Sequence, residues 1–366
     1  MFVIAISVYT GYESYRYALA NSKSDQLYVS DEIYYVDSAR RYLEFIFDVD
    51  VNASMYSNKT NTDYFNLEHP PLGKYLIALS MILYGDNPLG WRMPGIIESG
   101  LIVLFMGWTL LLAGKNRIAG ALASIAGVAA LGSEKLLAVS GSIAMLDIHL
   151  AFFTSLTVSF LLLGKRRPAL IAGSLALSTK LSGAASIVAV MLYDLYREGS
   201  VRVKAKRLSE DVLIPFIIYV ALMIPLIAYF GPVDIVKETL SALKWHVTSR
   251  PPGPPTSTPL GWILNSNPFY YSFKPAAQAA TLNTILHLTV LIVMAPLVYV
   301  ATKCRSDQLL VGPLNYLSVL IIYALVWVLG NRTLYSFYSV QLIPPMAATI
   351  GSLVIVGGVI RCQRYD

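Results

Sequence analysis

The sequence predicts an all-α, polytopic membrane protein of about ten transmembrane helices, and three observations carry that prediction. Apolar residues fill 55% of the 366 positions and charged residues only 14%, against roughly 25% charged in a soluble domain. The apolar residues gather into runs approaching the ~20 residues a helix needs to cross a hydrocarbon core. Helices satisfy their own backbone hydrogen bonds inside such runs, and the polar segments between them are too short for a separate soluble domain.

The runs place spans at about 1–19, 90–113, 118–132, 143–163, 168–178, 181–196, 211–230, 281–301, 309–329 and 338–360. The first run is short and has no basic stretch before it, so it reads as a clipped helix or misplaced start more than a cleaved leader. Basic clusters set the orientation: Lys115/Arg117, Lys165/Arg166/Arg167, Arg197 through Arg207, Lys303/Arg305 and Arg361/Arg364 belong on the cytoplasmic side. That leaves 20–89, 133–142, 231–280 and 330–337 outside and both termini inside. The scheme requires 168–196 to go out and back as a tight pair of short helices, broken near Ser178-Thr179-Lys180. The net charge of +6 sits mostly in the short loops, so it marks topology and implies no nucleic-acid partner. Cys304 and Cys362 suggest neither a disulfide framework nor a metal motif. Three glycosylation triplets, beginning at Asn52, Asn58 and Asn331, all fall in segments placed outside.

The first external segment carries two predicted interfacial helices. Ser30 is a candidate N-cap, Asp31 and Glu32 occupy the first turn, and the helix runs to about Phe47. Its apolar positions Tyr35, Ala39, Tyr42 and Ile46 share a face, with Arg40, Arg41 and Glu44 turned elsewhere. Pro70 and Pro71 start the second, and Leu72 to Tyr84 is apolar but too short to span comfortably.

Polar residues at the predicted outer face form several constellations, each with a bland alternative. Asp31 and Glu32 are a candidate proton acceptor and its neighbour, or mere complements to a helix N-terminus. In Glu68-His69-Pro70-Pro71-Leu72-Gly73-Lys74 the prolines stiffen the entry, and Lys74 either reaches a head group or snorkels. Arg92, after Trp91, suits a phosphate oxygen pair or a plain interfacial anchor. Asp147, with His149 close behind, sits just inside a span, where a carboxylate is costly. It reads equally as functional or as a structural partner of Lys180. His246 follows Lys244-Trp245 and precedes a stiff proline run, Arg250-Pro-Pro-Gly-Pro-Pro, and Gly261-Trp262. Arg332 precedes Tyr335, Phe337 and Tyr338, a sugar platform or an aromatic belt. Acids and cations on one membrane face suit transfer from a lipid phosphate: a carboxylate takes the acceptor proton and cations stabilise the departing phosphate.

The order of these motifs resembles the protein O-mannosyltransferases, members of the GT-C superfamily of membrane glycosyltransferases that also includes the lipid A aminoarabinose transferases. The resemblance spans about residues 30–345 and is carried by Asp31-Glu32, His69-Pro-Pro-Leu-Gly-Lys74, Gly90-Trp-Arg92, Met145-Leu-Asp147, Thr179-Lys180, the loop from Lys244 to Trp262, and Arg332 with Tyr335-Ser-Phe-Tyr338. It implies a metal-independent, inverting transferase without cofactor, using a polyprenyl or dolichyl phosphate sugar as donor. Asp31 then matches the catalytic aspartate with Glu32 beside it. His69, Lys74, Arg92, His246 and Arg332 match positions near the donor phosphate or the cavity wall, with Asp147 and Lys180 in support. Gly141 and Ser142 stand where the family usually carries an arginine, and the external loop has no room for a β-trefoil insert.

The resulting expectation is transfer of a sugar, mannose by resemblance, to a Ser or Thr hydroxyl of a protein at the external face of a prokaryotic-type plasma membrane, among membrane lipids. The same chemistry onto a lipid or glycan acceptor is the close variant. A non-catalytic carrier-binding relative and a transporter are the rivals, although no internal repeat supports a transporter.

Overall fold

A computed structural model describes residues 1–22, 28–49, 64–197, 199–249, 253–273 and 277–357. The first helix, α1 (Phe2–Ser22), shows what kind of molecule this is. It buries Ser7, Thr10, Ser14, Ala18 and Asn21 and exposes Phe2, Ile4, Val8, Tyr9 and Tyr12. Small polar residues face the interior and large apolar ones face outward, the pattern of helices packed in lipid.

After α2 (Glu32–Arg41), one π-helical turn follows over Tyr42–Ile46, close to the predicted helix. Then come α3 (Leu72–Tyr84), α4 (Pro88–Ala113), α5 (Arg117–Gly132), α6 (Lys135–Gly141), α7 (Leu146–Leu162), α8 (Arg166–Thr179) and α9 (Ala184–Arg197). Asn87 and Asn116 cap α4 and α5, accepting from Gly90 N and Ala119 N at 2.9 Å each. The remaining helices are α10 (Val201–Phe230), α11 (Pro232–His246), α12 (Pro259–Ile263), α13 (Thr284–Cys304), α14 (Gln308–Val328) and α15 (Ile343–Gly357), the last preceded by a 3-10 stretch, Ser336–Leu342. A small antiparallel pair, β1 (Tyr270–Ser272) and β2 (Gln278–Ala279), is a minor departure from an all-α chain.

Five described helical stretches are long and apolar enough to cross a membrane: α4, α10, α13, α14 and Ser336–Ile355. A sixth arises if α5 and α6, bent by 64°, count as one span. The chain is a polytopic, mostly helical membrane protein. The predicted break between α8 and α9 falls at Lys180, which is extended (φ −153°, ψ 140°).

The seam between α1, α4 and α6 is built without large side chains. Ser7 Oγ donates to Gly100 O at 2.8 Å and Ser14 Oγ meets Ser99 Oγ at 2.8 Å. A Cβ on Gly141 would lie 2.9 Å from Gly95 O and 2.8 Å from Ser14 Oγ, so only glycine admits this approach of α6 to α4.

Several expectations need correction. Residues 133–142, expected as an external loop, contain α6, buried against α1 and α4. The 231–280 loop contains α11, which its charges and flanking prolines concealed. Ser30 does not cap α2: it takes a left-handed conformation (φ 55°), and Asp31 occupies the cap position without a side-chain cap bond. Arg40 and Arg41, expected only to lie off the apolar face, are buried and paired. Arg40 forms a two-point pair with Asp86 (Nε–Oδ2 2.7 Å, Nη2–Oδ1 2.8 Å), and Trp91 Nε1 donates to the same carboxylate at 2.6 Å. Arg41 lies between Asp37 and the rings of Phe45 and Phe65. A buried guanidinium needs such partners, and these come from parts of the chain that helical spacing does not bring together. Cys304 is disulfide-bonded, contrary to the expectation of no disulfide. Asn52, Asn58, Cys362, Arg361, Arg364 and residues 250–252 lie outside the described residues.

Candidate functional site

The end of the bundle where α4 and α7 begin and α8 ends collects most of the predicted site residues. Its base is a closed turn: Glu32 N donates to Val29 O at 3.2 Å, and Val29 N donates to Glu32 Oε2 at 2.8 Å. Ser30 crosses this turn in the left-handed region, at a cost of roughly 1–2 kcal/mol for a residue with a Cβ, and Asp31 follows, half-buried at the start of α2.

Glu32 is the most heavily used carboxylate in the site. It takes Arg92 Nε and Nη2 at 2.7 Å each, Val29 N, and Ala144 N at 2.8 Å. Arg92 completes its set with Ala18 O at 3.2 Å and Ser22 Oγ at 3.0 Å, and both side chains of the pair are fully buried. This corrects two expectations. Glu32 has no lone pair left for a substrate proton, and Arg92 is occupied internally instead of facing a phosphate. Together they join α1, α2, α4 and the 142–145 segment beneath Asp31.

Lys74 also points inward. Its Nζ donates to Asn66 O and to His69 O (2.8 Å), lies 3.4 Å from Asn66 Oδ1, and the side chain is fully buried. Desolvation pulls its ammonium down to about 7, with the Glu68 carboxylate acting in the opposite direction. The predicted reach to the head-group plane is corrected: Lys74 is the pedestal of the 66–69 loop. Gly73 beside it is required by packing, since a Cβ there would lie 2.6 Å from Leu146 Cδ2.

Above that pedestal, His69 joins two other elements. Its ring centroid is 5.8 Å from Tyr35 and 5.2 Å from His246. His246, at the end of α11, places Nε2 3.3 Å from Glu68 O, while its own carbonyl accepts from Asn331 Nδ2 at 2.9 Å. Arg332 sits at the exposed rim, its guanidinium 3.6 Å over the Trp327 ring and its backbone N–H donating to Ser249 Oγ at 3.1 Å.

On the other wall, Lys180 Nζ meets Asp147 Oδ1 at 2.7 Å and lies 3.9 Å over Tyr338. Asp147 Oδ2 is buried with no hydrogen-bond partner among the described residues. Of the two readings open for Asp147, the pairing with Lys180 is present, and one oxygen remains for another donor. His149 pairs with Glu98 instead, Nδ1 to Oε2 at 2.5 Å.

Sequence reasoning offered Tyr335, Phe337 and Tyr338 as an aromatic platform but missed Phe269, Tyr271 and Tyr323, which pack with them. Tyr271, from β1, packs on Phe269, and Phe269 on Phe337, with centroids 5.5 and 4.9 Å apart. Tyr338 stacks on Tyr323 at 5.5 Å, and Trp262 stands edge-on to Tyr323 at 5.0 Å. Burial pushes the Tyr35 hydroxyl well above its ordinary range, and the charges of Asp31 and Asp147 push it further. Tyr271 is raised likewise by burial and by Asp147 and Asp31, against a hydrogen bond from Ser140. Both carboxylates raise both phenols, so Asp31 and Asp147 each lie near Tyr35 and Tyr271. The signal available in sequence was the excess of tyrosine, 24 residues, without any spacing to say which ones converge.

Fold and site define a helical membrane protein with a charged, aromatic-lined site at one end of its bundle. Among solved structures, the chain is similar to ArnT from Cupriavidus metallidurans. The form bound to undecaprenyl phosphate matches with a TM-score of 0.64 and 15% identity over 98% of this chain and 60% of that one. The apo form matches with a TM-score of 0.62 and 16% identity over 98% and 59%. In sequence, the chain is similar to the polyprenol-phosphate-mannose–protein mannosyltransferases. It is 40% identical to that of Corynebacterium glutamicum over 96 residues, 26% of this chain and 18% of that protein. It is 33% identical to that of Mycolicibacterium smegmatis over 93 residues, 25% and 17% of the two chains. The matched stretch thus spans less than a fifth of these relatives. No protein-family profile matches the chain.

Proposed function

We propose that the chain is an inverting glycosyltransferase that moves a sugar, mannose by its relatives' names, from a polyprenyl phosphate carrier to a protein hydroxyl. The observation that carries this reading is Asp31: a half-buried carboxylate at the start of α2, set between the left-handed Ser30 turn and the buried Glu32–Arg92 pair. Asp31 takes the proton of the acceptor hydroxyl as its oxygen attacks the anomeric carbon, and the carrier phosphate leaves from the opposite face of the sugar. Donors near that phosphate are His246, His69 and, at the rim, the Arg332 guanidinium. Lys74 and Arg92 act one step back, by holding the 66–69 loop and α2. Asp147, oriented by Lys180, accepts a hydroxyl of the bound sugar through Oδ2.

The reading places the site on the external face of a prokaryotic-type plasma membrane, in a ten-span chain with both termini inside. The basic residues of Arg166, Arg197 and Arg207 support that orientation by gathering at the opposite end of the bundle, where Arg166 pairs with Asp194, Glu210 and Asp211. We propose no metal requirement. Among the described residues no three of His, Cys, Asp and Glu gather as ligands.

The test is transfer from radiolabelled mannosyl phosphoryl polyprenol, with EDTA present, to membrane proteins and glycolipids by purified protein in lipid. Wild type transfers label to protein, and Asp31→Asn loses about 10²–10⁴-fold, the size of a general base. Full activity of a folded Asp31→Asn protein would overturn the assignment, and label in glycolipid alone would overturn the protein acceptor.

A further inference from the structure

Helix α11 presents three faces, and the mechanism uses only one. At about 100° per residue, Ile235, Thr239, Ala242 and His246 fall together, and this side packs on α10, with Ile235 and Ala242 buried. Asp234, Lys237, Glu238, Ser241 and Lys244 form a polar side, with an exposed Lys237–Asp234 pair at 3.2 Å. Between them runs a third stripe, Val233, Val236, Leu240 and Leu243, spaced by three, four and three residues. All four are large apolar side chains 49–64% exposed.

The position of the helix says what covers that stripe. It follows directly on α10, one of the membrane-crossing helices, after Gly231, whose φ of 87° turns the chain. It therefore starts where α10 leaves the hydrocarbon, and at 15 residues, seven of them polar, it is no span itself. A helix with separate apolar and charged sides at that level lies in the plane of the interface. Its far end is tied to the site: His246 Nε2 meets Glu68 O, and its ring lies 5.2 Å from His69.

We infer that α11 is a membrane-seated arm: its Val233–Leu243 stripe rests in the acyl boundary of the bilayer, and this seat holds His246 at the depth of a lipid phosphate. The second half of this statement rests on the proposed function, while the first does not. A donor on a long prenyl chain approaches through the same layer in which the arm lies, so the seat serves carrier-borne donors specifically.

Two measurements test it. In vesicles of phosphatidylethanolamine and phosphatidylglycerol, an environment-sensitive fluorophore is attached to Val236→Cys or Lys237→Cys. The arm predicts quenching at 236 by spin-labelled acyl chains and at 237 by aqueous iodide; iodide quenching of both positions overturns the seat whatever the transfer assay gives. The second compares L240D/L243D with wild type on a long-chain polyprenyl donor and a water-soluble short-prenyl donor. Loss of apolar contact with the interface is expected to raise KM for the long-chain donor about tenfold and leave the short one unchanged. Equal changes for both donors overturn the coupling to His246. If wild type transfers from neither donor while the quenching pattern holds, the proposed function fails and the seat stands.

Discussion

Glu32 and Arg92 are 60 residues apart in sequence and meet through two 2.7 Å hydrogen bonds at zero exposure. The pair matters less for its own attraction than for what either partner would suffer alone. An uncompensated buried charge costs about 3–5 kcal/mol, whereas removing both charges is far milder. Arg92→Met should therefore lower the unfolding midpoint in detergent sharply. Glu32→Gln with Arg92→Met should recover part of the loss, because glutamine still accepts from backbone N–H groups. Strictly additive midpoints would show that the pair does not act as a unit.

Lys74 gives a prediction in pH. Its folded-state value is lowered to about 7, below the ~10.4 of an unfolded lysine, so between these values the unfolded chain binds more protons. The stability it contributes is present above ~10.4 and is lost as pH falls through about 7. Wild type minus Lys74→Met should show that slope in denaturation midpoints measured from pH 6 to 10. A flat difference would mean the ammonium is not desolvated.

Gly73→Ala probes contact instead of charge. The added methyl meets Leu146 Cδ2 at 2.6 Å, Thr179 Cγ2 at 3.3 Å and His149 Cδ2 at 3.4 Å. Overpacking of this kind costs about 1–3 kcal/mol. Because α3 carries Lys74, the variant should lose kcat along with stability. An unchanged protein would mean that Leu146 moves aside freely.

Asn331 should carry no glycan. The side chain is 2% exposed, its amide donates to His246 O, and its oxygen accepts from both Thr333 N and Oγ1. Peptide mass spectrometry of protein expressed in a glycosylating host should find this triplet unmodified. Occupancy at Asn331 would mean that the 330s segment opens from its contact with α11.

Much of this was legible in sequence. The bounds of α3 follow from two prolines and the apolar stretch behind them, and the expense of charge at that depth leaves pairing with Lys180 as one of the two readings open for Asp147. What stayed hidden has physical causes. α6 is short and follows directly on α5, so composition shows only a loop between runs. α11 spreads its apolar residues over two faces, which dilutes any periodic signal. The roles of Lys74 and Arg92 invert because a chain reading shows which groups are charged, not where their partners lie. Asn66 O, His69 O, Ala18 O and Ser22 Oγ are ordinary atoms made decisive by folding.

The glycine and serine seam between α1, α4 and α6 has a mechanical consequence. Backbone in contact with backbone, as at Gly95 and Gly141, behaves like a key in a slot: it has no soft side chains that yield and re-form. Sliding α4 by one turn against α1 would drive larger residues into spaces that fit only small ones, so intermediate positions are blocked. The height of Arg92, and with it the level of the α2 start that carries Asp31, is thereby set by steric interlock instead of adhesion. A saturation scan along Ser7, Gly95, Gly100 and Gly141 would rank substitutions by volume, with greasiness and polarity mattering little.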